Sequence, residues 1–96
     1  MRLEWSAFSI EDRDAIFDYI EADSPYAAAV VDDRIRVHVR QLLQFPETGR
    51  PGRIEGTREL VISRTPYIAA YRIMGDTVRI LRMLHGAQLW PDETLD

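Results

Sequence analysis

Residues 56–91 read GTRELVISRTPYIAAYRIMGDTVRILRMLHGAQLWP, and the alternation inside them decides the fold. Leu60 and Ile62 alternate with Glu59, Val61 and Ser63. Tyr67, Ala69, Tyr71 and Ile73 alternate with Ile68, Ala70, Arg72 and Met74. A period of two marks a strand with one face buried. Gly75-Asp76 falls between two such runs and predicts a two-residue hairpin loop. The segment therefore reads as three consecutive antiparallel strands.

That loop pairs Met74 with Thr77. Tyr71 then lies opposite Ile80, Ala69 opposite Arg82, and Arg72 opposite Arg79. One face holds Tyr67, Ala69, Tyr71, Ile73, Val78, Ile80 and Leu84, with Arg82 as its only charge, and is the expected core face. The other holds Ile68, Ala70, Arg72, Met74, Arg79, Leu81, Met83 and His85. Two arginines directly opposed on a sheet repel. Placing Leu60 and Ile62 on the core face sets Glu59 beside Arg72, which offsets the repulsion and leaves Arg79 for an outside acid. A slip of one residue would overturn this.

Upstream, Met1 to Phe8 alternates loosely and reads as a first strand. Ser9 reads as a helix N-cap, with Glu11, Asp12 and Asp14 in the first turn, where the helix dipole favours acids. Ile16, Phe17 and Ile20 form the apolar stripe of a helix reaching about Ala22. Ser24-Pro25 restarts the chain as cap and first helical residue. A second helix to about Gln44 carries Ala28, Val31, Ile35, Val39 and Leu42 on one stripe. The short connection makes the two an antiparallel hairpin. Residues 46–56, PETGRPGRIEG, read as a loop. The expected class is α+β: a strand, an antiparallel helix hairpin, then a three-stranded antiparallel meander, β-α-α-β-β-β, in one domain spanning 1–96. The tail 89–96 is expected to be flexible unless Trp90 anchors it.

Composition narrows the chemistry. There is no cysteine, hence no disulfide or thiolate metal site. The amino terminus has no signal-peptide core and no apolar run is long enough to span a membrane, so a cytoplasmic protein is expected. Net charge is −4, unevenly spread: residues 1–45 hold five Arg against nine acids, and residues 48–86 hold seven Arg against three. The acidic total argues against non-specific nucleic-acid binding, while the basic middle suits an acidic protein. Every basic residue apart from histidine is Arg, which excludes lysine chemistry and favours bidentate carboxylate recognition. No His/Asp/Glu cluster has metal-ligand spacing, no phosphate-cradling glycine loop precedes a helix, and no cofactor is expected.

The element order, GTREL, the Tyr67-x-x-x-Tyr71-Arg72 spacing, VRILRMLHG and the trailing Trp90-Pro91 together resemble the RelE/ParE superfamily of bacterial toxins, and its ParE branch more than its RelE branch. The resemblance covers essentially the whole chain. It implies the toxin half of a type II toxin–antitoxin module, inhibiting DNA gyrase. It also implies neutralisation by a ParD-like ribbon-helix-helix antitoxin, with DNA reached only through that antitoxin. Two alternatives stay open: a RelE-like ribosome-dependent mRNA endonuclease, and a non-toxic homologue that only binds antitoxin.

Cleavage of RNA needs a general base, a general acid and a cation for the phosphorane. His85, with Arg82, is the candidate for that role; Trp90, where many RelE-like nucleases carry a tyrosine, cannot move a proton. A protein-binding inhibitor without catalytic residues is therefore favoured. Antitoxin is expected at the helix grooves (Tyr19, Ile20, Val31, Ile35) and on the edge strand Arg58–Ser63, with Arg58, Glu59, Arg72 and Arg79 in charge pairing. Arg82, His85 and Trp90 are the candidates for contacting the cellular target.

Overall fold

A computed structural model describes residues 1–86; Trp90 and the tail lie outside the described residues. The elements are β1 (Arg2–Trp5), α1 (Ala7–Glu21), α2 (Pro25–Gln41), β2 (Arg50–Pro51), β3 (Arg58–Val61), β4 (Tyr67–Met74) and β5 (Thr77–His85). The α+β class and the order strand, helix hairpin, antiparallel strands are as the sequence predicts. The strands form one mixed sheet in the order β1-β5-β4-β3-β2, with β1 parallel to β5 and every other pair antiparallel. No helix among the described residues is long and apolar enough to cross a membrane.

The helix hairpin covers one face of the sheet. Ile35 and Val39 of α2, with Leu42 just beyond it, pack on Leu60, Ile62, Tyr67, Ala69, Tyr71, Val78, Ile80 and Met83. Ile16 and Ile20 of α1 and Val31 of α2 close the margin. At the turn Ser24 accepts the Ala27 amide at 3.1 Å and Pro25 opens α2, as read from sequence. Arg13 fastens α1 to α2 through a two-pronged bond to Asp32 at 2.7 and 3.0 Å. The same guanidinium lies 5.0 Å from the Trp5 ring.

Four expectations need correction. The cap of α1 is Ser6, not Ser9: Ser6 Oγ accepts the Ser9 amide at 3.0 Å and donates to the Leu81 carbonyl at 2.8 Å. The helix thus begins earlier than composition suggests, and Glu11, Asp12 and Asp14 fall beyond its first turn. Second, α2 ends at Gln41 and gives way to turns. Third, the loop after it contributes β2, two residues paired with Arg58 and Glu59.

The fourth correction is register. The hairpin pairs as predicted from Met74↔Thr77 to Tyr71↔Ile80, including Arg72↔Arg79. Then β5 inserts Leu81: Ala70 meets Arg82 and Ala69 meets Met83. Such a bulge exchanges the faces of everything beyond it, so Met83, not Leu84, joins the core under the helices. On the other side Glu59 lies opposite Ala70, not Arg72. Gly75 turns the hairpin with φ 60, the left-handed value required at the first central position of a type II′ loop.

Tyr71 ties the loop after α2 to this core. Its hydroxyl donates to the Pro46 carbonyl at 2.6 Å and accepts the Gly49 amide at 2.9 Å. A Cβ on Gly49 would lie 2.7 Å from the same ring, so the approach requires glycine. Burial pushes the Tyr71 phenol above the ordinary 10.0, partly opposed by the Gly49 amide. Burial also raises Tyr67. A raised tyrosine holds its proton more tightly folded than unfolded, so its stabilisation is intact at neutral pH and is lost as pH rises beyond the unfolded value. Urea denaturation of Tyr71→Phe should show a loss of about 1–3 kcal/mol at neutral pH. The variant should also lose part of the wild-type decline in stability above about pH 10.

Candidate interaction surface

The exposed end of the helix hairpin carries a cavity of about 440 Å³ lined by Tyr19, Ile20, Ala22, Asp23, Ser24 and Ala27. Its shape follows from the tight turn: the Asp23 and Ser24 amides both return to the Ile20 carbonyl. Small side chains at Ala22, Ser24 and Ala27 leave space beside the Tyr19 ring, which is 79% exposed, and Tyr26, at the start of α2, is 80% exposed. Rigid aromatic rings standing in water are costly to leave uncovered and are preferred anchors of protein interfaces.

A further aromatic contact lies where β4 begins and β5 ends. Burial raises the Tyr67 phenol above its ordinary value, with a smaller contribution from the Tyr19 phenol. Tyr67 in turn meets His85, its cross-strand partner, edge to face at 5.9 Å and 86°. Two arginines meet at the loop between β3 and β4. Arg34 donates to the Arg64 carbonyl at 3.4 Å, and Arg64 turns the β3–β4 loop with φ 62. An apolar segment bearing acids matches that combination of rings and guanidinium groups.

The other predicted residues separate into buried and surface sets. Ile35 is fully buried, and Ile20 and Val31 lean on the core, so of the four helix residues only Tyr19 offers a large exposed surface. Glu59 is 2% exposed rather than available to a partner. It accepts the Arg53 amide at 3.0 Å and lies 3.2 Å from the Arg53 Nε and 3.4 Å from an Arg50 nitrogen. Arg58 donates to the carbonyls of Gly49 at 2.8 Å and Glu47 at 3.3 Å, holding the loop below α2. Arg72 is half-buried opposite Arg79. Arg79 does not wait for an outside acid, because it is ion-paired with Glu4 on β1.

Arg82 is fixed most firmly. Its Nε and Nη2 donate to both oxygens of Asp12 at 2.7 and 2.8 Å, and its guanidinium lies 5.3 Å from the Phe8 ring. Asp12 also accepts the Met83 amide at 3.0 Å, where β5 extends past the end of β1. Side chains alternate along a strand, so Arg82 and His85, three residues apart, project from opposite faces of β5. The pair suggested for RNA cleavage is not brought together.

On the open side of the sheet, β2 covers β3 only at Arg58 and Glu59. Leu60 pairs inward with Ala69, and Ile62 donates to the Tyr67 carbonyl. By alternation the Val61 amide and carbonyl point outward, and Val61 is exposed. Among the described residues, the edge expected over Arg58–Ser63 is therefore open at its far end only. Sequence reading missed the roles of Tyr67 and Asp12. The signal for Asp12 was present: a lone Arg82 amid apolar neighbours requires a carboxylate, and the amino-terminal half is rich in them.

Comparison with known proteins shows the family. Residues 3–90 match the family model described as the ParE toxin of the type II toxin–antitoxin system parDE. The Y4kP protein of Sinorhizobium fredii strain NGR234 is 48% identical over 90 residues, covering 94% of this chain and 93% of that protein. Toxin RelE2 of Caulobacter vibrioides is 35% identical over 85 residues, covering 88% and 94%. A solved chain of the chromosomal ParDE toxin–antitoxin system from P. aeruginosa superposes with a TM-score of 0.79 at 32% identity, covering 88% of this chain and 95% of that one.

The buried Glu59 generates a direct test. Glu59→Ala removes the acceptor that holds residues 50–53 against β3. It should cost about 2 kcal/mol in urea denaturation and accelerate tryptic cleavage after Arg53.

Proposed function

The chain belongs to the ParE toxin family of type II toxin–antitoxin systems, and from that premise we propose that it arrests growth by binding DNA gyrase and trapping its cleaved-DNA state. A ParD-like antitoxin neutralises it in the cytoplasm. The inhibition is adhesive rather than enzymatic. The observation that carries this reading is the disposition of Arg82 and His85. A nuclease would need a mobile cation beside its acid–base residue to meet the phosphorane charge. Here the Arg82 guanidinium is committed to Asp12 and projects from the face opposite His85.

The antitoxin's ribbon-helix-helix half binds DNA, and its carboxy-terminal segment wraps the toxin. A helical part of that segment lies over Tyr19 and the hairpin cavity, and an extended part adds beside Val61 at the open end of β3. Arg58, beside that edge, pairs with its acids. The gyrase-facing surface centres on His85, and Trp90 joins it on the strength of sequence alone. Arg82 supports that surface from below.

Purified chain incubated with gyrase and supercoiled plasmid should accumulate gyrase-linked double-strand breaks and should leave mRNA intact on translating ribosomes. Transcript cleavage abolished by His85→Ala would overturn the proposal in favour of a nuclease. Normal growth on expression of the chain alone would leave only antitoxin binding. Tyr19→Ala should weaken antitoxin binding about tenfold while gyrase-linked breaks persist.

A further inference from the structure

The two edges of the sheet are built differently. One ends in β2, two residues long, where Pro51 has no amide to offer a new strand. The other ends in β1, which has no proline, bulge or covering strand among the described residues. The Arg2 amide donates to Asp76 and the Ser6 amide to Ile80, so Arg2, Glu4 and Ser6 turn inward to β5. By alternation the amides and carbonyls of Leu3 and Trp5 face outward. Arg2 is exposed, and among the described residues its guanidinium makes no hydrogen bond or ion pair.

We infer that this edge pairs with the β1 edge of a second copy of the same chain, joining two sheets across a two-fold axis at Leu3. The charge pattern selects both the occupant and its register. In an antiparallel pairing centred on Leu3, Arg2 lies opposite Glu4 of the second copy, and Glu4 opposite its Arg2. Opposite charges facing across strands are stabilising, and the axis makes each such contact twice. These are the closer, non-hydrogen-bonded positions of the ladder. Shifting the axis to Glu4 would oppose two carboxylates instead. Glu4 already holds Arg79 within its own sheet through Oε1, and in this pairing Oε2 accepts the incoming guanidinium.

The front face matches as well. Met1, half exposed, comes opposite Trp5 of the second copy. Beside Trp5 lies a cavity of about 360 Å³ whose apolar lining is Trp5, Ile10 and Phe17, with Arg13, Asp14 and Asp32 completing it. A flexible thioether side chain suits such a space. The interface lies at the edge opposite β3, so it leaves the proposed antitoxin strand position free and does not depend on that proposal.

Sedimentation velocity of the full chain alone should show a concentration-dependent monomer–dimer equilibrium. Amide exchange at Leu3 and Trp5 should slow as concentration rises, while the Arg2 and Glu4 amides stay unchanged. Arg2→Glu should raise the dimer dissociation constant on the order of tenfold, and Leu3→Pro should abolish the dimer. A chain that stays monomeric throughout would overturn the inference. So would a dimer in which Leu3 and Trp5 exchange at one rate at all concentrations. If Leu3→Pro fails to fold by circular dichroism, Arg2→Glu alone decides: an unchanged dissociation constant refutes the pairing.

Discussion

The structure depends on one irregularity, the extra residue that β5 inserts at Leu81. There the Leu81 carbonyl receives the Ser6 hydroxyl, which caps α1, and two residues on the Met83 amide reaches Asp12. Arg82, turned out of the core by the bulge, closes a two-pronged bond on the same carboxylate. Three groups of β5 thus seize the first turns of α1. A side chain of this kind cannot be left unpaired at 9% exposure without a penalty of several kcal/mol. The bulge, the early start of α1 and the Asp12–Arg82 pair therefore form one device, and the position of the helix hairpin over the sheet follows from it.

The same economy governs the other arginines. A chain without lysine suggests a surface made of guanidinium forks, yet several of these forks face inward. Arg13 joins the two helices, Arg53 holds a loop on Glu59, Arg58 gathers the carbonyls below α2, and Arg79 ties β1 to β5. Planar, multi-donor groups suit this work because each satisfies two acceptors at once. Among the large side chains that stay outward are Tyr19 and Tyr26 at the hairpin, and His85 at the end of β5 stands exposed against the buried Tyr67 ring. The surface is therefore made for covering by another protein.

Much of the architecture was legible because its signals are local. Alternation over Tyr67–Met74 and the Gly75-Asp76 loop set the hairpin, and Ser24-Pro25 set the start of α2. Hidden features depend on contacts between distant residues. No local pattern marks the bulge, since Leu81 is as apolar as its neighbours and only packing under the helices decides which residue is skipped. Ser6 and Ser9 are equally good caps by type, and the Leu81 carbonyl chooses between them. The pairing of Glu59 shifted for a similar reason: β2, too short to announce itself, brings Arg50 and Arg53 to that carboxylate. At the candidate site Tyr19 and His85 were readable as exposed candidates. The edge-to-face contact of His85 with Tyr67 was not, because it exists only once β5 is paired with β4 beyond the bulge.

A double-mutant cycle at Asp12 and Arg82 tests this account most directly. Urea denaturation of Asp12→Ala, Arg82→Ala and the double variant should give a coupling energy of about 2 kcal/mol or more. Effects that add to within about 0.5 kcal/mol would mean that the pair is incidental and that the bulge does not hold the helix hairpin in place.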